Sequence, residues 1–391
     1  MAGTNLGERI QRARKLAGLT QRELAALSGV SFSLISKLEQ GERQDARLET
    51  VRKIAAALHV STTRLVASGP ENGPTEETTD RWLPVRRALV TDDAPDLPEE
   101  PTPEGVRQAL DGALTLNSHA RYTELTEVLP ALIRDARVVT DLDPAERELH
   151  THVMLVVGSV LVQHRQFDTA EQLLDQTLGY TESTPQRATA VSTWCWSLLR
   201  RGRLAEAREK AVYWADELEP RRLTRASPAD LAGWGWLLLR AAAAASRDNR
   251  DGEARTALRY AKAAATAIGT GERRVKGDPL RKVFGSPTIA RKQAEHATIT
   301  DRPDQVLALA ASIPSNSTND HRRHLLDVAH AQERMRQHTE AVETLWKLQQ
   351  EAPEWLAQQR YAKETLDRLV RKRRTLTPEM RALARVVQLP L

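Results

Sequence analysis

Leu19-Thr20-Gln21-Arg22-Glu23-Leu24-Ala25-Ala26-Leu27-Ser28-Gly29-Val30-Ser31-Phe32-Ser33-Leu34-Ile35-Ser36-Lys37-Leu38-Glu39 reads as two short helices hinged on a glycine. Thr20 and Glu23 have capping-box spacing, in which the hydroxyl and the carboxylate satisfy each other's orphan amides, so the first helix starts at Gln21. Leu24, Ala25 and Leu27 are expected on its buried side. Gly29 suits the positive φ of a sharp turn after Ser28. Ser31 offers a hydroxyl cap to the second helix, Phe32 to Glu39. There Leu34, Ile35 and Leu38 face inward, and Phe32, Ser33, Ser36 and Lys37 face outward. Small, polar and basic side chains on a helix that follows a glycine turn have the shape and chemistry to enter a DNA major groove.

Around this pair the same periodic reading places one helix from about Leu6 to Ala17, with Leu6, Ile10 and Ala13 on one stripe and Gly18 as its stop. A fourth helix is expected from Arg47 to Leu58 and a fifth from Thr62 to Val66, capped by Ser61. Residues 1–66 carry eleven basic against six acidic side chains, although the whole chain is only +5. A basic head is the electrostatic footprint of phosphate contact, because each neutralised phosphate releases condensed counterion.

The run from Leu19 to Arg43, with Val51-Arg52-Lys53-Ile54-Ala55-Ala56-Ala57-Leu58 and Leu65, resembles the Cro/phage-repressor (XRE) helix-turn-helix family at nearly every position. The resemblance implies that Gln21 braces the DNA backbone. It implies that Phe32, Ser33, Ser36 and Lys37, behind the Ser31 cap, read base edges, and that Gln40 and Arg43 touch phosphate. The chemistry agrees: lysine donates to guanine O6 and N7, serine serves either partner, and a phenyl ring lies against a thymine methyl. Arg14 and Glu39 match the family's pair tying the first helix to the third.

At 391 residues the chain exceeds one ordinary core. Its 40% hydrophobic, 4% aromatic and 28% charged composition suits exposed helices and an all-α fold. Residues 67–102 are dense in Pro, Gly, Thr, Asp and Glu, the composition of a linker that cannot repay its ordering entropy. Within it, Arg81 to Val90 is an apolar-basic island suited to a short docking helix. No apolar run reaches the ~18 residues of a membrane span and no signal peptide is evident, so a cytoplasmic location is expected. The lone Cys195 makes no internal disulfide and reads as a packed core thiol.

From residue 103 to 391 the chain reads as amphipathic helices in pairs. Asp143-Pro144-Ala145-Glu146 and Ser227-Pro228-Ala229-Asp230 each place a cap, a first-turn proline and an acid. A recurring phrase opens the second helix of each pair, anchored on Leu125, Ala170, Ala207, Ala254, Val306 and Ala341. The anchors lie 45, 37, 47, 52 and 35 positions apart, bracketing with insertions the ~34-residue tetratricopeptide period. Gly202-Arg203-Leu204-Ala205-Glu206-Ala207-Arg208 is the cleanest copy. The region therefore resembles a degenerate tetratricopeptide solenoid, and the whole chain resembles actinobacterial regulators that join such repeats to this helix-turn-helix. Ala120-Arg121-Tyr122-Thr123-Glu124-Leu125, Phe284-Gly285-Ser286-Pro287-Thr288 and Leu325-Leu326-Asp327-Val328-Ala329-His330-Ala331 also carry that resemblance.

The resemblance implies that the first helix of each pair lines a groove. On that register His152, Thr189, Ser192, Trp196, Arg200, Trp236, Leu239, Arg291, Glu295, Arg323, Leu326 and His330 are lining candidates for an effector. The crowding of Trp194, Trp196, Trp214, Trp234 and Trp236 allows either an aromatic wall or inter-helix core. No phosphate loop, His-Glu-x-x-His, Cys-x-x-Cys or Gly-x-Ser-x-Gly occurs, so neither catalysis, a cofactor nor a metal is expected. The basic run at Arg368, Arg371, Lys372, Arg373 and Arg374 reads as a solvated helix end or a second DNA contact. The expected function is a DNA-binding repressor that takes a double-stranded operator as a homodimer, controlled by a small molecule or peptide. A polypeptide-binding scaffold and an antitoxin-like regulator remain open alternatives.

Overall fold

The computed structural model describes residues 5–43, 46, 48–60, 62, 65, 80–91, 100–269, 271–275, 278–316 and 318–389. Among them the architecture is all-α, with one two-stranded hairpin. The amino-terminal helices are α1 (Leu6–Ala17), α2 (Gln21–Ser28), α3 (Phe32–Glu39) and α4 (Leu48–Ala57). After α5 (Leu83–Val90) come five helical hairpins: α6 (Pro103–Ser118) with α7 (Tyr122–Leu142), α8 (Arg147–Gln163) with α9 (Phe167–Tyr180), α10 (Thr184–Arg200) with α11 (Leu204–Glu217), α12 (Pro228–Arg247) with α13 (Asp251–Ile268), and α14 (Ser286–Ile299) with α15 (Pro303–Ala310). The chain continues through α16 (Asn319–Arg334), α17 (His338–Glu351), α18 (Pro353–Ala357), α19 (Arg360–Lys372) and α20 (Pro378–Val386). By contacts it divides into one unit of Met1–Thr79 with Gln332–Leu391 and a second of Asp80–Ala331. No helix among the described residues is long and apolar enough to cross a membrane.

In the first unit the local signals operate as chemistry. The Thr20 hydroxyl accepts from the Glu23 amide at 3.2 Å and the Glu23 carboxylate accepts from the Thr20 amide at 2.6 Å. Gly29 sits at φ 66°, where a side chain would be strained. Ile10, Leu24, Ile35, Leu38, Ile54 and Leu65 are fully buried together, each such side chain contributing roughly 1.5–3 kcal/mol, whereas Leu27, expected on the buried side of α2, is exposed. Gly7 permits the closest crossing: a Cβ there would lie 1.7 Å from the Leu38 carbonyl oxygen, so α1 meets α3 backbone to side-chain-free backbone. Of the expected fifth helix, Thr62 and Leu65 are helical; Ser61 and the remaining positions lie outside the described residues, as do 67–79 and 92–99 of the linker.

The second unit repeats one turn. Ala120, Arg165, Gly202, Asn249 and Asp301 each adopt positive φ. The amide of each following residue, Arg121, Gln166, Arg203, Arg250 and Arg302, donates at 2.8–2.9 Å to the carbonyl five residues back. This is the six-to-one closure of a Schellman cap, which satisfies orphan carbonyls and reverses the chain into the next helix. The anchors Leu125, Ala170, Ala207, Ala254 and Val306 all lie one turn into those second helices and are fully buried. In the first unit Arg336, Gln337 and Ala341 repeat the arrangement. A repeat legible only as a faint phrase in sequence is thus a strict backbone repeat.

The apolar-basic island is α5, docked on the first hairpins of its own unit. Trp82 stacks on His164 with ring centres 4.3 Å apart, and Arg137 donates to the Thr91 carbonyl at 2.6 Å and the Ala88 carbonyl at 3.3 Å, near the end of α5. One element has no counterpart in the sequence reading. β1 (Glu272–Arg274) and β2 (Val283–Gly285) form an antiparallel hairpin, with Glu272 opposite Gly285 and Arg274 opposite Val283. Phe284 on β2 fills the space left by Gly235, whose Cβ would stand 2.2 Å from the Phe284 ring.

Candidate nucleic-acid interface and tryptophan–cation cluster

The start of α3 presents one continuous surface. Ser31, Phe32, Ser33, Lys37, Gln40 and Arg43 are exposed, while Ser36 is half-buried at its edge. Ser31 caps the helix, its hydroxyl accepting from the Leu34 amide at 3.3 Å. Phe32 is 45% exposed, an unusual position for a phenyl ring in a domain with a closed core, and the Arg22 guanidinium lies 5.9 Å from its centre. Behind this surface Glu39 is buried and accepts from Arg14 on α1 and from the Gln21 amide nitrogen on α2. The three helices are therefore fixed to one carboxylate, which presets the orientation of α3.

The same unit holds α1 from the other side. Arg12 pairs with Asp367, and the Lys15 ammonium donates to the Val370 and Arg371 carbonyls at 3.2 and 3.4 Å. Those carbonyls close α19, where a cation complements the helix dipole. A Cβ on Gly18 would meet the Arg381 guanidinium at 2.3 Å. Burial, then the charge of Arg371, lowers Arg12 to about 10. The basic run of α19 does not form a plain solvated end: Arg368 and Lys372 donate to the buried Glu333 carboxylate at 3.0 and 2.6 Å, and Arg371 donates to Asp367 at 3.0 Å. Burial alone would raise Glu333, but those two cations outweigh it and hold its carboxyl below the usual range.

In the second unit the lining candidates separate by environment. His152 hydrogen-bonds the Pro279 carbonyl, Leu239 and Leu326 are buried apolar contacts, and Thr189 is buried. Arg291 is 1% exposed and pairs with Glu272 and Asp320; Lys292 pairs with Asp320 at 2.6 Å and with Glu295 at 3.1 Å, and Arg247 pairs with Glu295 at 2.6 Å. Arg323 and His330 are half-buried. Arg200 donates to the Val162 and Gln163 carbonyls at 2.9 and 2.7 Å, so its guanidinium caps the end of α8 while lying 5.5 Å from the Trp196 ring. Trp234 donates to the Ala215 carbonyl at 3.0 Å. Cys195 is fully buried and its thiol is pushed up to about 12 by burial, which leaves it inert.

Trp196 and Trp236 are brought together by a residue the sequence reading passed over. The Arg240 guanidinium lies 5.8 Å from the Trp196 ring centre and 5.6 Å from that of Trp236, anchored by Nε donating to the Ser192 carbonyl at 3.0 Å. Lys282, delivered by the β-hairpin, stands 5.4 Å from the Trp236 centre, and Lys292 stands 5.9 Å from it. Burial lowers Lys282 to about 8. Arg240 was legible in principle, being one turn beyond Trp236 on a helix rich in alanine. Lys282 carried no signal, because only the hairpin places it there.

Residues 10–65 match the helix-turn-helix family. The uncharacterized HTH-type transcriptional regulator RghRB of Bacillus subtilis (strain 168) is 37% identical over 62 residues, 16% of this chain; the chain spans 45% of that relative's length. The uncharacterized HTH-type transcriptional regulator y4dJ of Sinorhizobium fredii (strain NBRC 101917 / NGR234) is 40% identical over 73 residues, 19% of this chain and 86% of the relative. Among solved structures, Bacillus thuringiensis PlcR in complex with the peptide PapR7 and DNA aligns over 78% of this chain and 96% of its own, at 16% identity and a TM-score of 0.33.

Proposed function

Because the chain belongs to the HTH-type transcriptional regulators, we propose that it binds an operator in double-stranded DNA through α3, as a cytoplasmic homodimer that represses transcription. On this reading its repeats resemble those of actinobacterial regulators of the same plan, and its second unit takes the effector that controls it. The observation that carries the reading is the outward face of α3: exposed Phe32, Ser33 and Lys37 on a helix whose base is tied down by buried Glu39. The Phe32 ring stands outside the apolar core of the head, against the Arg22 guanidinium, and both Phe32 and Lys37 have partners on base edges. Gln21, Gln40 and Arg43 flank that face and position it on the phosphates.

Selection of bound sequences from random duplex DNA tests the reading. The expected product is a palindrome whose half-sites lie about one helical turn (~34 Å) apart, since a two-fold dimer presents two α3 helices at that spacing. Recovery of no preferred sequence, or binding that follows salt alone, overturns it.

A further inference from the structure

We propose that the cluster of Trp196, Trp236, Arg240 and Lys282 is a binding site for a small organic anion, a carboxylate or phosphate carried on a flat apolar body. The inference rests on reading the second unit as an effector domain, and it assigns that effector's chemistry.

The carboxylates nearby are already engaged. Glu295 is taken by Arg247 and Lys292, Asp320 by Arg291 and Lys292, and Glu272 by Arg291. Asp278 accepts from the amides of Leu280 and Lys282 at 2.9 and 3.0 Å. Among the described residues none of these lies within ion-pair distance of the Arg240 guanidinium or the Lys282 ammonium, whose contacts are Ser192 and the faces of the two indoles. Cation–π contact returns less than withdrawing a cation from water costs. Glu295 and Asp320 act on Arg240, and Asp278 and Asp320 on Lys282, only from beyond contact, and burial outweighs them in both, so two neighbouring half-buried cations without a direct ion pair are an arrangement that a bound anion would relieve.

A second, independent observation points to the same ligand. Trp236 is 7% exposed and its Nε1–H has no acceptor among the described residues. Trp234, on the same helix, satisfies its own N–H on a carbonyl, as buried indoles normally do. With Nε held by Ser192, the two terminal nitrogens of Arg240 remain as a planar fork suited to carboxylate or phosphate. Trp196 and Trp236 then supply walls for a ring. Arg200 differs in that its Nη1 donates to the last carbonyls of α8.

The test uses the full-length protein with 1-anilinonaphthalene-8-sulfonate, whose sulfonate stands in for the acidic group, and with N-phenyl-1-naphthylamine, which has the same rings and no charge. The expected result is one sulfonate probe per chain with energy transfer from tryptophan, displaced by phenyl phosphate. Arg240→Met and Lys282→Met should each weaken it at least tenfold and leave the neutral probe unaffected. Wild-type affinity in both variants, with native circular dichroism, overturns the site. If Arg240→Met fails to fold, Lys282→Met decides, because Lys282 is on the hairpin rather than inside a helix. Operator affinity separates the two readings. A probe held by Arg240 and Lys282 that never alters operator binding leaves the site standing and removes the effector role. Variants that bind the probe normally, in a protein whose operator affinity still responds to cell extract, remove the site and leave the effector role.

Discussion

Arg14 grips Glu39 through two parallel hydrogen bonds, Nε to Oε1 at 2.7 Å and Nη2 to Oε2 at 2.8 Å, with both side chains buried. Arg14 also donates to the Leu19 carbonyl at 2.8 Å, and Gln21 donates to the same carboxylate. Removing one partner would leave the other charge buried and unpaired, a loss of roughly 3–5 kcal/mol. Glu39→Ala should lower the urea midpoint of the head accordingly. A loss under about 1 kcal/mol would mean that the apolar core alone orients α3.

Lys37 and Arg43 should fail in different ways. Lys37→Ala removes a base-edge donor and is expected to cost about 1–3 kcal/mol at one operator position, relaxing preference there. Arg43→Ala removes a phosphate contact, weakening all sequences alike and shallowing the salt slope by about one unit. Binding isotherms on operator and random duplexes at several salt concentrations distinguish them; identical effects of the two changes would refute the assignment.

Asp367 should stabilise the head from outside the helix-turn-helix. Asp367→Ala leaves Arg12, which burial and Arg371 already disfavour as a cation, without its carboxylate. The loss of a charged partner is worth roughly 1.5–3 kcal/mol. Hydrogen exchange should accelerate in α1 while α12 and α13 keep their protection. Unchanged exchange in α1 would show that the pair contributes nothing.

Arg336 adopts φ 63° on an exposed turn. A non-glycine residue in that region carries a penalty of roughly 1–2 kcal/mol, partly offset on substitution by the greater unfolded-state freedom of glycine. Arg336→Gly is therefore expected to stabilise by about 0.5–1 kcal/mol, read as a raised thermal midpoint; a lower midpoint would refute the prediction.

Asp327 gives the second unit a pH dependence of defined sign. Burial raises its carboxyl to about 7, with Arg323 opposing and Glu295 reinforcing. The folded state thus holds this proton more tightly than the unfolded chain, so the contribution is full below the unfolded value near 3.8 and is lost as pH rises towards 7. His324 runs the other way. Burial, then His321, lowers it from 6.5 to about 4, so its contribution is present above the unfolded value and is lost on acidification. Asp327→Asn should therefore gain on the wild type as pH rises from 4 to 7, by up to ~1.4 kcal/mol per unit, and then stay level. A constant difference across that range in denaturant melts would show that Asp327 does not titrate there.

What was legible in the residues is what depends on near neighbours along the chain. The Thr20–Glu23 capping box, the Gly29 turn and the buried anchors at Ala170, Ala207 and Ala254 all appear where periodicity and capping place them. A cap or an apolar stripe is completed within about four residues, so one chain segment contains all its terms. The Arg14–Glu39 pair was legible as well, through the family resemblance. Tertiary structure decided the rest. Lys15 meets a carbonyl 355 positions away, and no local pattern marks α19 and α20 as partners of α1 rather than as further repeats. Both Arg200 and Arg240 sit on first helices, but one guanidinium finds the open carbonyls of α8 and the other finds two indole faces. Which outcome each meets depends on how neighbouring hairpins stack and on where the Glu272–Gly285 hairpin delivers Lys282 and Phe284. Those are contacts between segments far apart in sequence, whose energies arise only when packing brings the charges and rings within a few ångströms.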